Sequence, residues 1–278
     1  MKITYFPNQL ALNSTPVIDA FLEGCKNIEL TVDQNNMSAD IAVIWSLVWA
    51  GRMRPNQQVY QEFLSTGRPV ILLEVGMISR GHTWRLALIN NGKILYAKPV
   101  DSHRPQKLGL LLKPWKQDGQ YIVIATQRTD SEQWVGQPDI STWLSNTVDT
   151  IKTYSDRPIV IRPHPRQKVV VPAGCTVDMP RPIVGTYDSF NFDSSLKNAC
   201  AVVNWNSSPG VHAVVNGVPA FVGETSLASP VANLRLSEIE NPIHPDRTSW
   251  LNNLAHTEWT LEEIASGMPL LRLLGLIS

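Results

Sequence analysis

The chain has 278 residues, with 24 Lys plus Arg against 24 Asp plus Glu, 43% hydrophobic residues and 17% charged ones. That balance excludes a disordered chain and supplies enough apolar residues for two compact domains. No apolar run reaches the ~18 residues of a membrane span, the first residues carry no signal-peptide core, and three scattered cysteines (Cys25, Cys175, Cys200) argue against a disulfide framework, so a cytoplasmic globular protein is expected.

Taken in chain order, residues 2–6, 28–32 and 41–45 read as strands. Residues 55–66 read as a helix closed by Gly67, and 69–74 as a buried strand. Residues 84–97 form a hairpin pattern around Asn90-Asn91-Gly92. A new series begins near Lys113-Pro114-Trp115, with a strand at 121–125. Ser141 is placed to cap a helix on which Leu144, Val148 and Ile151 share a face. Asp156-Arg157-Pro158 ends that helix, and 159–162 is the next strand. Residues 199–204 and 219–222 read as strands with a helix from about Pro209 between them. Residues 246–255 and 260–267 read as the last helices. The alternation predicts an α/β protein with mainly parallel sheets, divided into an acceptor-side domain 1–115 and a donor-side domain 116–278 whose last helices are free to pack back on the first. In such folds ligands sit at the C-terminal ends of strands.

The charge is uneven. Residues 45–116 hold eleven Lys or Arg against three acids (Glu62, Glu74, Asp101), a balance of +8; residues 117–278 hold eleven against sixteen, a balance of −5. A basic segment of this kind suits an anionic partner, although a solvated face with scattered counter-charges explains it equally well.

Four strand-end segments carry chemistry-bearing side chains. In Arg162-Pro163-His164-Pro165-Arg166, two prolines fix the backbone while two arginines and a histidine suit a phosphate or pyrophosphate. Asn204-Trp205-Asn206-Ser207-Ser208-Pro209-Gly210 opens a helix, where hydroxyls and free N–H groups attract an anion. An ordinary serine cap is the simpler alternative there, and His212 reads as a packed helix residue. Glu74 ends an otherwise apolar strand, as a general base or as the ion-pair partner of Arg80 or Arg85. Gln127 and Arg128 follow the strand at 121–125 and are placed to reach the same crevice, with Asp130 as a cap.

Several chemistries lack their signatures. The sequence has no G-x-x-x-x-G-K-[ST] loop, no G-x-G-x-x-G after the first strand, no H-E-x-x-H and no G-x-S-x-G. Asp-x-Asp is absent too; Asp130-Ser131-Glu132 only approximates it.

His164-Pro165 followed by Ser207-Ser208 resembles the donor domain of GT-B glycosyltransferases, more narrowly the capsule-polysaccharide and polysialyltransferase-type enzymes. In those families the two motifs bind the phosphates of a nucleotide-sugar. Residues 215–221 look like the family's turn into a further donor-site loop, here Gly223-Glu224-Thr225-Ser226, and Trp250, Trp259, Thr260 and Glu263 match its close. The resemblance spans roughly residues 120–265. Polysialyltransferases place an acidic pair before a glycine; Leu73-Glu74-Val75-Gly76 has one acid and an extra residue. The chain's length is nearer to that of compact glycosyltransferase-like proteins of bacteriophages, whose common acceptor is a hydroxymethylated pyrimidine in DNA.

The resemblance implies two Rossmann-like domains with a cleft between them, and transfer of a sugar from a nucleotide-sugar. Glu74 and His164 take the catalytic roles, base and leaving-group partner. Gln127, Arg128, Arg162, Arg166, Asn206, Ser207, Ser208, Gly210 and Glu224 hold the donor. No metal or other cofactor is expected, and direct attack inverts the anomeric carbon. The basic segment makes an anionic acceptor the expectation, with phage DNA first: Arg80, Arg85, Arg104 and Lys107 would meet phosphates, and Trp84 would stack on a base or pack in the core. The alternatives are a glycosyltransferase of capsular or surface polysaccharide, and a non-catalytic nucleotide-sugar-binding module.

Overall fold

Alternating apolar side chains along the central strands set the architecture. The structure, a computed structural model, describes residues 1–186 and 188–277. The chain runs through β1 (Lys2–Tyr5), α1 (Thr15–Asn27), β2 (Thr31–Gln34), β3 (Ile41–Trp45), α2 (Asn56–Ser65), β4 (Val70–Val75), β5 (Trp84–Asn90) and β6 (Lys93–Leu95). A short α3 (Arg104–Lys107) leads to β7 (Tyr121–Ala125), α4 (Ile140–Tyr154), β8 (Ile159–Arg162) and β9 (Thr176–Val177). Then come α5 (Asp193–Leu196), β10 (Ala199–Val203), α6 (Ser208–Val215) and β11 (Ala220–Phe221). The chain ends in α7 (Thr248–Ala255), β12 (Glu258–Trp259), α8 (Leu261–Ala265) and α9 (Met268–Leu274). These elements form two compact units: residues 1–104 with 130–132 and 252–277, and residues 105–129 with 133–251.

In the first unit the sheet order is β12-β5-β4-β3-β1-β2, with β6 also on β5. The strands β1 to β4 are mutually parallel. Ile41, Val43, Ile71, Leu73, Leu86 and Leu88 face one core with Phe21 of α1, Ile264 of α8 and Leu273 of α9. Their neighbours Ala42, Ile44, Val70, Leu72, Ala87 and Ile89 face the other core with Val59 and Phe63 of α2. A sheet covered on both faces requires that continuous apolar reading.

The sheet is less uniformly parallel than the alternation predicts. β5 runs antiparallel to β4, and β6 and β12 run antiparallel to β5. The hairpin around Asn91 and Gly92 imposes the β5–β6 pairing, since both residues take positive φ (50° and 71°) and reverse the chain without a crossover; β4 reaches β5 through the loop 76–83, again without a helix between them. The second strand also starts later than the apolar run at 28–32. Ile28 caps α1 and Glu29 is left-handed at φ 58°, so the run's first residues close a helix. Both α1 and α9 lie outside the sequence expectation; Val17, Ile18, Phe21 and Cys25 line the buried face of α1.

In the second unit the sheet is wholly parallel, in the order β11-β10-β7-β8-β9. In chain-order terms this is the doubly wound 3-2-1-4-5 arrangement, whose switch point lies between β7 and β10. Ile122, Ile124, Ile159, Ile161, Ala201 and Val203 pack against Leu144, Val148 and Ile151 of α4. Asp139, rather than Ser141, caps α4: its carboxylate accepts the Ser141 and Thr142 N–H groups at 3.0 and 3.1 Å. The Ser141 hydroxyl instead accepts the Val170 N–H. Gly217, at φ 75°, makes the turn from α6 into β11, and a Cβ there would lie 2.0 Å from the Pro114 carbonyl oxygen.

Candidate functional site

In the second unit, the loops after β7, β8, β10 and β11 all leave the C-terminal ends of parallel strands. They place Gln127, Arg128, His164, Arg166, Asn206, Ser207, Ser208 and Glu224 at the C-terminal end of the sheet. The His164 loop is locked to the loop after β7 by its N–H, which donates to Thr126 Oγ1 at 3.0 Å. His164 Nδ1 accepts the Arg166 N–H at 3.1 Å. That bond fixes the neutral tautomer with its proton on Nε2, the nitrogen able to donate to an anionic oxygen. The imidazole is half-buried, whereas Arg166 is exposed and pairs with Asp188 at 2.5 Å. Glu224 is exposed and Arg128 half-buried.

The Ser-Ser segment starts α6, but not through a serine side-chain cap. Ser207 has the extended backbone of a cap residue, φ −87° and ψ 173°, while its hydroxyl accepts from Asn204 Nδ2 at 2.8 Å. Ser208 is the first helical residue and Pro209 follows it, so the first turn keeps its pre-organised φ.

Four expected donor contacts have other occupations. Arg162 is 6% exposed, and its guanidinium is spent on Asp178 (2.9 Å), Ser195 Oγ (3.0 Å) and the Asn191 carbonyl (2.6 Å), with Phe192 against its face. Burial lowers its pKa against the opposing pull of Asp178. It ties the loop after β8 to the 178–195 segment rather than presenting itself to a phosphate. Gln127 and Asn206 are both buried and bind each other, and Asn206 Nδ2 also donates to Thr225 Oγ1 at 3.1 Å. They brace three loops. Gly210 is needed for packing: a Cβ there would come 2.5 Å from Asn204 Oδ1 and 2.8 Å from Val222 Cγ1.

In the first unit, Glu74 stands near the end of β4 beside the end of β3. Its Oε1 accepts the Ser46 hydroxyl at 3.0 Å, and its Oε2 forms an ion pair with Arg85 at 2.8 Å. Glu74 and Glu258 are the register partners of Arg85 on either side, so the three side chains form a row on one face across β4, β5 and β12. Burial disfavours the Arg85 charge, but Glu74, Tyr96 and Glu258 more than offset that and hold its pKa above the ordinary value. Fully buried Glu258 accepts the Met77 N–H at 2.6 Å, the Ile78 N–H at 3.1 Å and the Thr83 hydroxyl at 2.7 Å. It therefore shapes the loop after β4. Gly76 makes room for it, since a Cβ there would meet Glu258 Oε2 at 2.5 Å and the Thr83 carbonyl oxygen at 2.2 Å.

The expected acceptor residues are correspondingly changed. Arg85 is buried in that row and does not face a phosphate. Arg104 is 6% exposed, stacks 4.0 Å over Trp259, and donates to Glu263 (2.5 and 2.8 Å) and to the Ala255 and Glu258 carbonyls (2.7 and 2.6 Å). It is a structural clamp for the segment 255–263. Trp84 packs on the apolar core, register partner to Trp259. Arg80 is half-buried in the loop after β4, and Lys107 is exposed on α3. Sequence reasoning missed Ser46 and the roles of Glu258 and Thr126. The first is betrayed only by its backbone angle, and the others by contacts between residues far apart in the chain.

No protein-family model and no curated protein sequence matches this chain. Among solved structures, the beta Kdo 2,7 transferase of Thermosulfurimonas dismutans KpsC is similar at 16% identity, over 98% of this chain and 100% of that one, with a TM-score of 0.53. The beta Kdo 2,4 transferase of the same organism's KpsC is similar at 11% identity, over 91% and 90% of the two chains, also with a TM-score of 0.53. At such identities the likeness is one of fold, and the conclusion is that this chain shares the mixed α/β architecture of two Kdo transferases along nearly its whole length.

Proposed function

We propose that this chain is a glycosyltransferase that moves a sugar from a nucleotide-sugar to a hydroxyl of a capsular or other surface polysaccharide. One observation carries the reading: the Ser207-Ser208 loop lies at the β7/β10 switch point of a 3-2-1-4-5 sheet, and the His164 loop, after the next strand β8, is pinned to the β7 loop through Thr126. The fold shared with two Kdo transferases supports it, and makes a nucleotide-linked acidic sugar of the Kdo type the first donor to try. The reading takes the two units as the acceptor and donor halves of a GT-B enzyme.

In this mechanism the donor phosphate lies against the start of α6. Helix-terminal N–H groups, His164 Nε2–H and Arg166 stabilise the charge that builds on the leaving phosphate oxygen. Glu74 accepts the proton of the acceptor hydroxyl as that oxygen attacks the anomeric carbon, and the bond to the phosphate breaks with inversion. The cationic side chains supply this stabilisation without a metal.

A surface polysaccharide is favoured over phage DNA because Arg85 and Arg104, two of the residues that motivated a DNA phosphate track, are buried in ion pairs. The non-catalytic reading draws on one fact: both Glu74 oxygens are already engaged, by Ser46 and Arg85. Donor binding without transfer to any acceptor would favour it.

The test is a thermal-shift screen against CMP-Kdo and UDP-, GDP-, CMP- and dTDP-sugars, with and without EDTA. The expected result is a selective shift that EDTA leaves intact and His164→Ala removes. Transfer is then assayed on oligosaccharides and on hydroxymethylated DNA. Transfer to DNA alone would reverse the acceptor assignment, and the absence of any donor shift would overturn the donor site.

A further inference from the structure

Ser46 follows β3 with φ +62°, in the left-handed region, and is 5% exposed. A side chain with a Cβ is disfavoured there, and glycine would occupy the position without strain. What serine supplies beyond glycine is its hydroxyl. The Val48 N–H donates to Ser46 Oγ at 3.2 Å, and the hydroxyl in turn donates to Glu74 Oε1 at 3.0 Å. The Ser46 N–H donates to the Leu73 carbonyl oxygen at 2.8 Å, tying the turn to β4 one residue before Glu74. Arg85 holds the other carboxylate oxygen. The carboxylate is thus gripped from both sides, and the left-handed turn brings one of the two grips to it.

We propose that Ser46 is a positioning residue for the base of this enzyme: its hydroxyl fixes the orientation in which Glu74 meets the acceptor hydroxyl. The proposal rests on the reading of Glu74 as that base. In the step, the acceptor O–H bond breaks and its proton passes to the Glu74 carboxylate. The acceptor oxygen bonds to the anomeric carbon, and the phosphate oxygen departs with the bonding pair. The Ser46 O–H bond stays intact throughout. Unexplained backbone strain beside a candidate reacting group is the kind of outlier from which a functional constraint is inferred.

The experiment compares Ser46→Gly, Ser46→Ala and Glu74→Gln, with CMP-Kdo and an oligosaccharide acceptor as probes. Ser46→Gly removes the hydroxyl and relieves the strain, so folding is retained even where Ser46→Ala is destabilised. The expected result is a kcat lowered roughly 10- to 100-fold in Ser46→Gly with donor KM unchanged. Added to Glu74→Gln, the same change lowers the rate little further. A crystal structure of Ser46→Gly, which needs no activity, should show the Glu74 carboxylate turned away from the end of β3. Normal kcat in Ser46→Gly while Glu74→Gln is inactive, or an unmoved Glu74, would overturn the positioning role. Normal turnover in Glu74→Gln would instead overturn the base reading on which it rests.

Discussion

Gln127 and Asn206 exchange two hydrogen bonds at the boundary between β7 and β10: Gln127 Nε2 donates to Asn206 Oδ1 at 2.9 Å, and the Asn206 N–H donates to Gln127 Oε1 at 3.0 Å. This pair sits where the strand order reverses, so it sets the spacing of the two loops that flank the switch point. Gln127→Ala strands a buried amide oxygen and a buried N–H. The expected outcome is a loss of about 1–3 kcal/mol in stability, read by urea denaturation. Donor-induced thermal shifts should fall as well. A variant as stable as the parent would show that the pair is dispensable.

Arg162 was legible as a strand-end cation, and the structure makes it an internal clamp. Arg162→Met should therefore lower the melting temperature by removing a buried partner of Asp178, Ser195 and Asn191, at a cost on the order of 3 kcal/mol. Arg166→Met, at an exposed position, should leave the melting temperature nearly unchanged. Its effect should appear in donor affinity. The two arginines of one short motif are separated by this comparison, and equal melting temperatures would remove the distinction.

Glu258 and Gly76 form one device, a buried carboxylate and the backbone that fits around it. Gly76→Ala pushes a methyl into the Thr83 carbonyl and Glu258 Oε2. The expected cost is about 1–3 kcal/mol of stability, with the loop after β4 more open to proteolysis. Limited proteolysis followed by mass spectrometry reads both. Cleavage no faster than in the parent would show that the loop adapts.

His256 makes stability depend on pH. Its ring is fully buried, Nδ1 donates to the Asn252 carbonyl oxygen at 2.8 Å, and Nε2 is buried with no hydrogen-bond partner among the described residues. Burial above all lowers its pKa from 6.5, with Arg104 and Arg272 adding to the effect and the Asn252 bond and Asp101 opposing it. The folded state thus binds a proton less readily than the unfolded chain. Its contribution is complete above about pH 6.5 and is lost as the pH falls through the lower folded value. Urea denaturation from pH 8 to pH 5 should show that fall, and His256→Phe should flatten part of it. An unchanged slope in the variant would place the pH dependence elsewhere.

The core strands, and the strand ends where chemistry could lie, are legible in the residues alone. Runs such as residues 70–73 and 122–125 are apolar on both faces, and that pattern is readable without any partner. The His164 and Ser207-Ser208 loops were legible because local strand-loop and strand-helix transitions set them. Tertiary structure decided which of those side chains are spent inside the fold. Arg104 finds its partners about 150 residues further on, at Ala255, Glu258 and Glu263, and Arg162 finds Asp178, Asn191 and Ser195. An arginine in a sequence looks the same whether it faces solvent or a buried carboxylate. Only the folded chain brings the carboxylate to it, because the row Glu74–Arg85–Glu258 depends on the register of three strands, one of them contributed by the far end of the chain.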